Sequence, residues 1–288
     1  MSTIRLLTIE DYDQYLSMVT HLERDYIADV FERLTSPPHY LYGHFVDGEL
    51  IGTAGYSIFQ DEYAMLGRLR TDVRWRGKSM ARHLLTYVKE QAEQEEGLTW
   101  VGANTESQNT PARRVLTGSG LKEWHAFQTA SAEQIDAMTD RHTEWMPIHT
   151  VEEKIQWLDR LYIEPGRVFP FECYYPFPAG YSLFKNKLQE WRFFENHDKD
   201  RVVITKPDWK GRHFLQVIYP WNDLADRPGL WNTVHAQHQQ MKQDMEDEVL
   251  VWLDLTDEQM AVFPDVHPFT FHSKWILHGT RIHDINRV

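Results

Sequence analysis

The stretch LGRLRTDVRWRGKSMARHLLTYVKEQ, residues 66–91, determines how the first half of the chain is interpreted. Its first residues are typical of a strand, and a tight basic turn follows at residues 74–79. The remainder has one apolar stripe at helical spacing, which predicts an amphipathic helix. Helix N-termini offer unpaired N–H groups and the positive end of a dipole, so an anion can bind where this helix begins. The stretch therefore predicts a site for a phosphate-bearing ligand.

The charge of this stretch contrasts with that of the whole chain. Overall there are 43 Asp and Glu residues against 30 Lys and Arg residues, a formal net charge of -13. Residues 68–89 contain seven basic residues and one acidic residue, Asp72, which is a local net charge of +6. A cationic segment in an anionic protein is typical of a site for a polyanion, and chance clustering on a solvated helix face is the alternative.

Length and composition restrict the class of protein. A chain of 288 residues predicts two domains, and 42% hydrophobic with 25% charged residues is typical of a soluble globular protein. No apolar run approaches the ~20 residues that cross a bilayer. The single cysteine, Cys173, excludes an intrachain disulfide, and the acidic balance disfavours general nucleic-acid binding. We therefore expect a cytoplasmic protein without nucleic-acid or membrane partners.

The first half predicts the order strand, two helices, three strands, helix, strand, helix, strand. Asp47-Gly48 joins two apolar runs, which is a strong hairpin signal. Gly97 closes the helix of the opening stretch, and Pro111 is placed where the first turn of the next helix tolerates it. The predicted strands of this half are residues 4–7, 40–46, 50–58, 64–71, 98–103 and 121–129.

Two motifs in this order resemble a known superfamily. Residues 76–81, RGKSMA, look like the acyl-CoA signature of the GNAT acetyltransferases, Arg/Gln-x-x-Gly-x-Gly/Ala. Residues 109–112, NTPA, followed by Gly120-Leu121, are similar to the family's next helix, Asn-x-x-Ala … Gly-Phe. The resemblance covers residues 3–130 and implies an α/β (α+β) fold, a mixed and mostly antiparallel sheet flanked by helices.

The resemblance also implies a cosubstrate, acetyl-CoA, and the residues that bind it. The main chain of Leu69, Arg70 and Thr71 would pair with the pantetheine arm. Asn109 would contact the pantetheine region, and Asn104 would assist. The pyrophosphate would be held by the main-chain N–H groups of Arg76, Gly77, Lys78, Ser79, Met80 and Ala81. The 15 histidines match no strong zinc pattern, so we expect no metal.

Two positions depart from the family pattern. Ser79 replaces the central glycine, which narrows the approach to phosphate, although we expect binding to persist. Leu116 stands where many members place a tyrosine that protonates the departing thiolate, so the proton would come from elsewhere or from solvent. Glu62, just before the central strand, is the candidate general base, and a polar loop bend is its alternative interpretation. Asp72 is expected to pair with Arg70 or Arg74.

The resemblance therefore implies an N-acetyltransferase that moves an acetyl group from acetyl-CoA to an amine by direct attack in a ternary complex. The acceptor, a small molecule or a peptide, is not determined by the sequence. The alternative is a CoA-binding module without transferase activity, which Leu116 favours. A structural α+β protein without CoA binding is a third alternative.

The second half predicts a separate domain. Residues 131–148 are expected to form a linker, which would divide the chain into a CoA-binding domain at 1–130 and a second α+β domain at 149–288. The second domain has the order strand, helix, strand, helix, strand, which indicates a degenerate copy of the first or an unrelated α+β domain. Asp223 and Asp226 replace the basic turn and predict that this half binds no CoA. It would instead complete a substrate cleft or form a homo-oligomer interface.

Overall fold

The computed structural model of the chain describes residues 1–22 and 24–282. The strands in these residues are β1 (Ser2–Leu6), β2 (His39–Val46), β3 (Glu49–Phe59), β4 (Tyr63–Thr71), β5 (Trp100–Glu106), β6 (Lys122–Ala132), β7 (Met146–Ile148), β8 (Val168–Glu172), β9 (Tyr175–Pro178), β10 (Arg192–Glu195), β11 (Val202–Trp209), β12 (His213–Ile218), β13 (Val249–Leu255) and β14 (Thr270–Arg281). The α-helices are α1 (Tyr12–Ser17), α2 (Tyr26–Asp29), α3 (Phe31–Leu34), α4 (Met80–Glu93), α5 (Thr110–Gly118), α6 (Val151–Leu158), α7 (Tyr181–Phe184), α8 (Leu230–Met245) and α9 (Asp257–Ala261).

The chain forms two compact units. Unit 1 contains Met1–Trp124 together with the residues from Ile276 onward, and unit 2 contains His125–Trp275. None of the described helices is both long and apolar enough to cross a bilayer.

The sheet of unit 1 has the strand order β1-β2-β3-β4-β5, and the part of β14 from Ile276 onward follows β5. The first three pairs of neighbours are antiparallel. Strands β4 and β5 are parallel, and α4 makes the crossover between them. The Asp47-Gly48 turn has φ values of 50° and 84°, as a tight two-residue hairpin requires.

Side chains alternate between the two faces of this sheet, and helices cover both faces. On β2, Tyr42 belongs to the core beneath α4, with Leu84, Leu85 and Val88 of that helix. The preceding residue, Leu41, belongs to the other core, which α1 to α3 form with Tyr15, Ile27, Phe31 and Leu34. The apolar stripe predicted on α4 is thus the stripe that the helix buries.

The sheet of unit 2 has the order β6-β13-β12-β11-β10-β7, and the first part of β14 lies beside β6. Strands β12 and β13 are parallel, and the other registered neighbours are antiparallel. Helix α8 packs on one face with Trp231, Val234 and Met241 in the core. Strands β8 and β9 form a separate hairpin.

The fold class predicted from the sequence is confirmed. Each unit has a mixed, mostly antiparallel sheet with helices on it. In addition, unit 2 repeats an order found in unit 1, an antiparallel strand pair, a helix, a parallel strand, a short helix and a final strand.

Residues 131–148, predicted as a linker, include ordered and buried parts. They contain β7 and the buried side chains Ile135 and Trp145, which are 0% and 4% exposed. The Trp145 Nε1 donates a hydrogen bond to the Pro228 carbonyl at 2.9 Å, so this segment packs within unit 2. The domain limits 1–130 and 149–288 stay a prediction, and residues 283–288 lie outside the described part of the chain.

Two glycines that face each other across β3 and β4 provide a test of this packing. A Cβ at Gly55 would lie 2.3 Å from the Tyr40 carbonyl oxygen and 3.1 Å from the Leu41 Cα, both main-chain atoms. The described residues place nothing within 4 Å of a Cβ at its cross-strand partner Gly67. We expect Gly55→Ala to lower the free energy of unfolding by about 3 kcal/mol, as overpacking does. Gly67→Ala, the matched control, should change it by less than ~1 kcal/mol. Urea denaturation measures the free energy of unfolding of both variants. Equal losses of this free energy in Gly55→Ala and Gly67→Ala would contradict the strand register.

Candidate functional site

Strands β4 and β5 pair along only part of their length. The parallel ladder ends at Leu66 opposite Ala103, whereas β4 continues for five more residues and β5 for three. We call the opening between residues 67–71 of β4 and 104–106 of β5 the fork. Main-chain N–H and C=O groups that leave a ladder need another partner. The fork can therefore pair with an extended ligand that carries amide groups.

The residues predicted to contact pantetheine lie along this opening. Leu69, Arg70 and Thr71 are the last three residues of β4, and Asn104 is the first β5 residue after the ladder. On the other edge of β4, pairing with β3 continues as far as Thr71, which lies opposite Gly52. The structure thus brings these four residues together, with one edge of β4 bonded and the other facing the fork.

A β-bulge sets the direction of β4 where the fork opens. The register with β3 shifts between Thr53 and Gly55, so that Arg68 and Leu69 together oppose one β3 residue. Arg68 has a φ of 58°, and the buried hydroxyl of Thr53 donates a hydrogen bond to its carbonyl at 3.1 Å. Bulges bend a strand and increase its local twist. This one coincides with the separation of β4 from β5.

The Arg70 side chain is held away from any ligand role by an acidic partner. Its Nε and Nη2 each donate to the Asp25 carboxylate at 2.9 Å, and the Tyr15 hydroxyl donates to the same carboxylate at 2.6 Å. Burial alone would raise the pKa of Asp25, but the hydrogen bonds from Arg70 and Tyr15 lower it. Asp25 is therefore ionised and neutralises the Arg70 guanidinium.

The basic turn ends at the start of α4, as predicted. After a 3₁₀ turn at Val73–Trp75, Gly77 and Ser79 adopt left-handed φ values of 77° and 59°. Successive residues of this kind turn main-chain N–H groups toward one side, and the first N–H groups of the helix extend the set. In the described part of the chain, the Ser79 hydroxyl caps no helix N–H. Residues 76–79 are exposed, so an anion can reach these donors.

The basic side chains of this region have more acidic neighbours than the sequence suggests. Arg70 pairs with Asp25, and carboxylates from outside residues 68–89 also pair with Arg74 and Lys89. Arg76 donates to the main-chain carbonyls of Thr20 and Thr71, and the Lys78 Nζ lies 4.6 Å from the centre of the Trp75 ring. The local positive charge is therefore smaller than the net +6 of the sequence window.

Asp72 anchors the turn. Its fully buried carboxylate accepts hydrogen bonds from the Val19 N–H at 3.0 Å and from the Arg74 N–H at 2.9 Å. The Arg74 guanidinium adds bonds at 2.8 and 2.7 Å, and it is the main reason that the pKa of Asp72 lies well below its usual range. Asp72 thus has one of the two partners that we expected, and its role is to hold the turn in place.

Comparison with known proteins identifies this arrangement. Residues 6–120 match the model of the acetyltransferase (GNAT) family. These residues form a GNAT domain. The match contains the fork, the basic turn and all of α5, which are the parts that carried the resemblance in the sequence.

Solved structures agree on the fold over the whole chain. A proposed acetyltransferase from Thermoplasma acidophilum aligns with a TM-score of 0.56 and 13% identity, covering 97% of this chain and 99% of that one. A GCN5-related N-acetyltransferase from Sphaerobacter thermophilus aligns with a TM-score of 0.53 and 12% identity, covering 98% and 96%. At such identities the likeness shows the fold alone. The sequence comparison with curated proteins finds no match.

In the GNAT domain, Asn109 caps helix α5. Its side-chain oxygen accepts a hydrogen bond from the Ala112 N–H at 3.2 Å, and Pro111 occupies the first turn as predicted. The capping bond uses the amide oxygen and leaves the amide N–H₂ for the contact with pantetheine that the resemblance implies.

The structure does not bring Glu62 to the fork. Glu62 precedes β4, and its main-chain carbonyl accepts from the Thr99 N–H at 2.8 Å. It lies four positions before Leu66, where the ladder ends, which is about 13 Å along a strand. As a general base for chemistry at the fork, its carboxylate would need intervening water.

Leu116 has a structural reason to be apolar. It is 5% exposed and packs in the core beneath α4 with Leu84 and Leu85. This position therefore supplies packing to α5 and no proton.

Three residues that shape the site were missed by sequence reasoning. Thr53, Asp25 and Tyr15 support the β4 main chain and side chains, as described above. Asp25 does carry a local signal, because it is the N-cap of α2 and accepts from the Ile27 N–H. Its pairing with Arg70, which is 45 positions away, leaves no trace in the local pattern.

Unit 2 lacks the fork at the corresponding place in its order of elements. Strand β12 pairs with β13 from His213 to Val217, which leaves one residue of β12 beyond the ladder. The Gly229 N–H, at the start of α8, donates to the Asp140 carboxylate at 3.0 Å. An internal carboxylate thus occupies the helix N-terminus, where an anionic ligand would otherwise bind.

Asp72→Asn tests the anchoring of the turn. A folded-state pKa below the unfolded value means that the carboxylate adds stability above about pH 4, and that this stability is lost as the pH falls below that value. We expect the variant to lose about 2 kcal/mol at neutral pH, as for hydrogen bonds to a charged group. The difference should shrink as the pH falls below about 4, because the unfolded chain then takes up a proton that the folded carboxylate does not.

Urea denaturation across this pH range measures the effect, with Asp198→Asn at an exposed position of unit 2 as the control. A loss at neutral pH that persists unchanged in acid would show that the stability of the turn does not depend on the Asp72 charge.

Proposed function

We propose that the GNAT domain transfers an acetyl group from acetyl-CoA to the nitrogen of a small-molecule or peptide amine. The observation that supports this most directly is the continuous segment that joins the open edge of β4 to the start of α4. Its first part offers main-chain pairing in the fork, and its second part offers N–H donors at an exposed turn. Pantetheine amides and a pyrophosphate are the groups that fit these two parts.

The geometry of the turn is compatible with this ligand despite the serine in the signature. Gly77 provides open space, since the described residues place nothing within 4 Å of a Cβ there. Ser79 already adopts the left-handed conformation that a glycine would favour. Its hydroxyl is exposed and can donate to a phosphate oxygen in addition to the main-chain N–H.

In this proposal, the domain acts mainly by positioning the reactants. Acetyl-CoA supplies an activated thioester, and main-chain N–H groups of the fork polarise its carbonyl oxygen. The amine nitrogen attacks the thioester carbon in a ternary complex, the C–S bond breaks, and the nitrogen loses a proton. Glu62 stays the candidate base, acting through water. The buried Leu116 provides no acid, so the thiolate takes its proton from solvent. The cytoplasmic location and a homo-oligomeric state also stay predictions.

The second candidate function is CoA binding without transfer. The observation that favours it is the position of Leu116 in the core, which leaves no hydroxyl at the expected place of the general acid. Both functions require the fork and the turn, and only turnover separates them.

Gly77→Ala tests the turn, and Gly48→Ala is its matched control. Both glycines have a left-handed φ, and nothing in the described part of the chain lies within 4 Å of a Cβ at either. Each substitution should cost about 1 kcal/mol of folding free energy. Gly77→Ala alone should weaken CoA binding, by about fivefold, since it displaces N–H donors worth ~1 kcal/mol. Titration calorimetry with CoA measures this, and equal affinities of the two variants would remove the turn from the binding site.

The transfer itself is tested by following free thiol during incubation with acetyl-CoA and a panel of amines. We expect at least one amine to release thiol at a rate that rises with its concentration. Tight CoA binding with no turnover across the panel would contradict the enzyme proposal and leave the second candidate.

Glu62→Gln should lower the rate of thiol release and alter its pH dependence, and Glu96→Gln, at an exposed site, is the control. An unchanged pH profile would exclude Glu62 as the base.

A further inference from the structure

Unit 2 contains a pocket of its own, with a volume of about 370 Å³, between the β8–β9 hairpin and β11. The rings of Phe171, Trp191 and Trp209 contribute to its lining. Lys206 of β11 also lines it and is only 3% exposed. Ligand pockets in proteins are mostly apolar with a few polar groups, and typically measure ~300–1,000 Å³. This pocket combines aromatic walls with a buried cation at the lower end of that range.

The Lys206 ammonium group lacks a conventional partner. Its Nζ lies 5.2 Å from the centre of the Trp191 ring and 5.9 Å from that of Phe171. The described residues place neither a hydrogen-bond acceptor nor a carboxylate within bonding distance of it. Burial lowers the pKa of Lys206, and the nearby Asp208 acts against this shift. Because Lys206 lines the pocket, its ammonium group can take an acceptor from there, and an anion is the acceptor that also matches its charge.

Two other lysines of this unit have hydrogen-bond or ion-pair partners for their ammonium groups. Lys154 is buried as well, and its Nζ donates to the carbonyls of Leu188 and Trp191 at 2.6 and 2.7 Å. The Lys210 Nζ lies 2.7 Å from Glu172 and 3.5 Å from Asp208. Lys206 differs from both because, among the described residues, its Nζ has ring neighbours and no hydrogen-bond or ion-pair partner.

The acidic residues of the lining do not replace a ligand for Lys206. Glu172 is bonded to Lys210, and Asp208 accepts from the Cys173 and Trp209 N–H groups at 2.7 Å each. Of the remaining charged residues, Glu190 is exposed and Lys187 is half-buried, so solvent screens both. The Lys206 ammonium therefore lies in the field of Asp208 and Glu172 without a bond to either, and the Phe171 and Trp191 rings stand beside it.

We propose that this pocket binds a small aromatic carboxylate. The carboxylate pairs with the Lys206 ammonium, and the ring packs against Phe171 and Trp191. Pairing supplies the charge that the buried ammonium lacks, and stacking buries the apolar part of the ligand. The proposal uses residues of unit 2 alone and does not depend on acetyl transfer by the GNAT domain.

The experiment uses the full chain with phenylacetate and its uncharged analogue phenylacetamide, and it follows binding by calorimetry and tryptophan fluorescence. We expect phenylacetate to bind at least about tenfold more tightly than the amide, as one charge-assisted hydrogen bond implies. Lys206→Met, which keeps an unbranched side chain one atom shorter and removes the charge, should lose this preference. Lys185→Met, at an exposed position of the same unit, should retain it.

A thermal melt without ligand separates loss of folding from loss of the site. Lys206→Met removes a buried charge without a partner, so its midpoint should equal or exceed that of the wild type. Phenylacetate should raise the midpoint of the wild type and leave that of the variant unchanged. The proposal is overturned by any of three results: no phenylacetate binding at millimolar concentration, equal binding of acid and amide, or equal binding by Lys206→Met.

Discussion

Beyond Leu66, the main chain of β4 stays paired with β3 but leaves its ladder with β5, and the organisation of the GNAT domain follows from this constraint. The bulge at Arg68 turns the strand away from β5, and the Thr53 hydroxyl stabilises the displaced carbonyl. The same segment then passes through the basic turn into α4. An open strand edge and a helix N-terminus, two sources of main-chain donors, therefore lie on one short piece of chain.

Carboxylates hold this piece of chain in place and also limit its charge. Asp25 fixes Arg70, and Asp72 connects the turn to the main chain of Val19. Asp25 neutralises Arg70 and Asp72 neutralises Arg74, so neither arginine adds its full positive charge to the turn. The turn is consequently better described as a rigid set of N–H donors with a few cations at its edge. Rigidity matters here because preorganised donors lose little freedom when an anion binds.

Signals of short range predicted most of the fold and the position of the turn. Asp47-Gly48 predicted the hairpin, and the apolar stripe with its preceding glycine predicted α4 and its start. The bulge and the Asp25–Arg70 pair depend on contacts between distant positions, and a single sequence carries no signal of them. The placement of Glu62 could not be judged either, because its distance from the fork depends on where the β4–β5 ladder ends.

Unit 2 shows why the order of elements predicts a fold better than a site. It has the same succession of paired strands, helix and parallel strand, but its parallel ladder continues almost to the end of β12. Its helix N-terminus is bonded to Asp140 instead of being exposed. Both changes satisfy main-chain groups within unit 2. A few residues of additional pairing and one carboxylate thus retain the succession of elements without the open strand end and the exposed helix start of the GNAT domain.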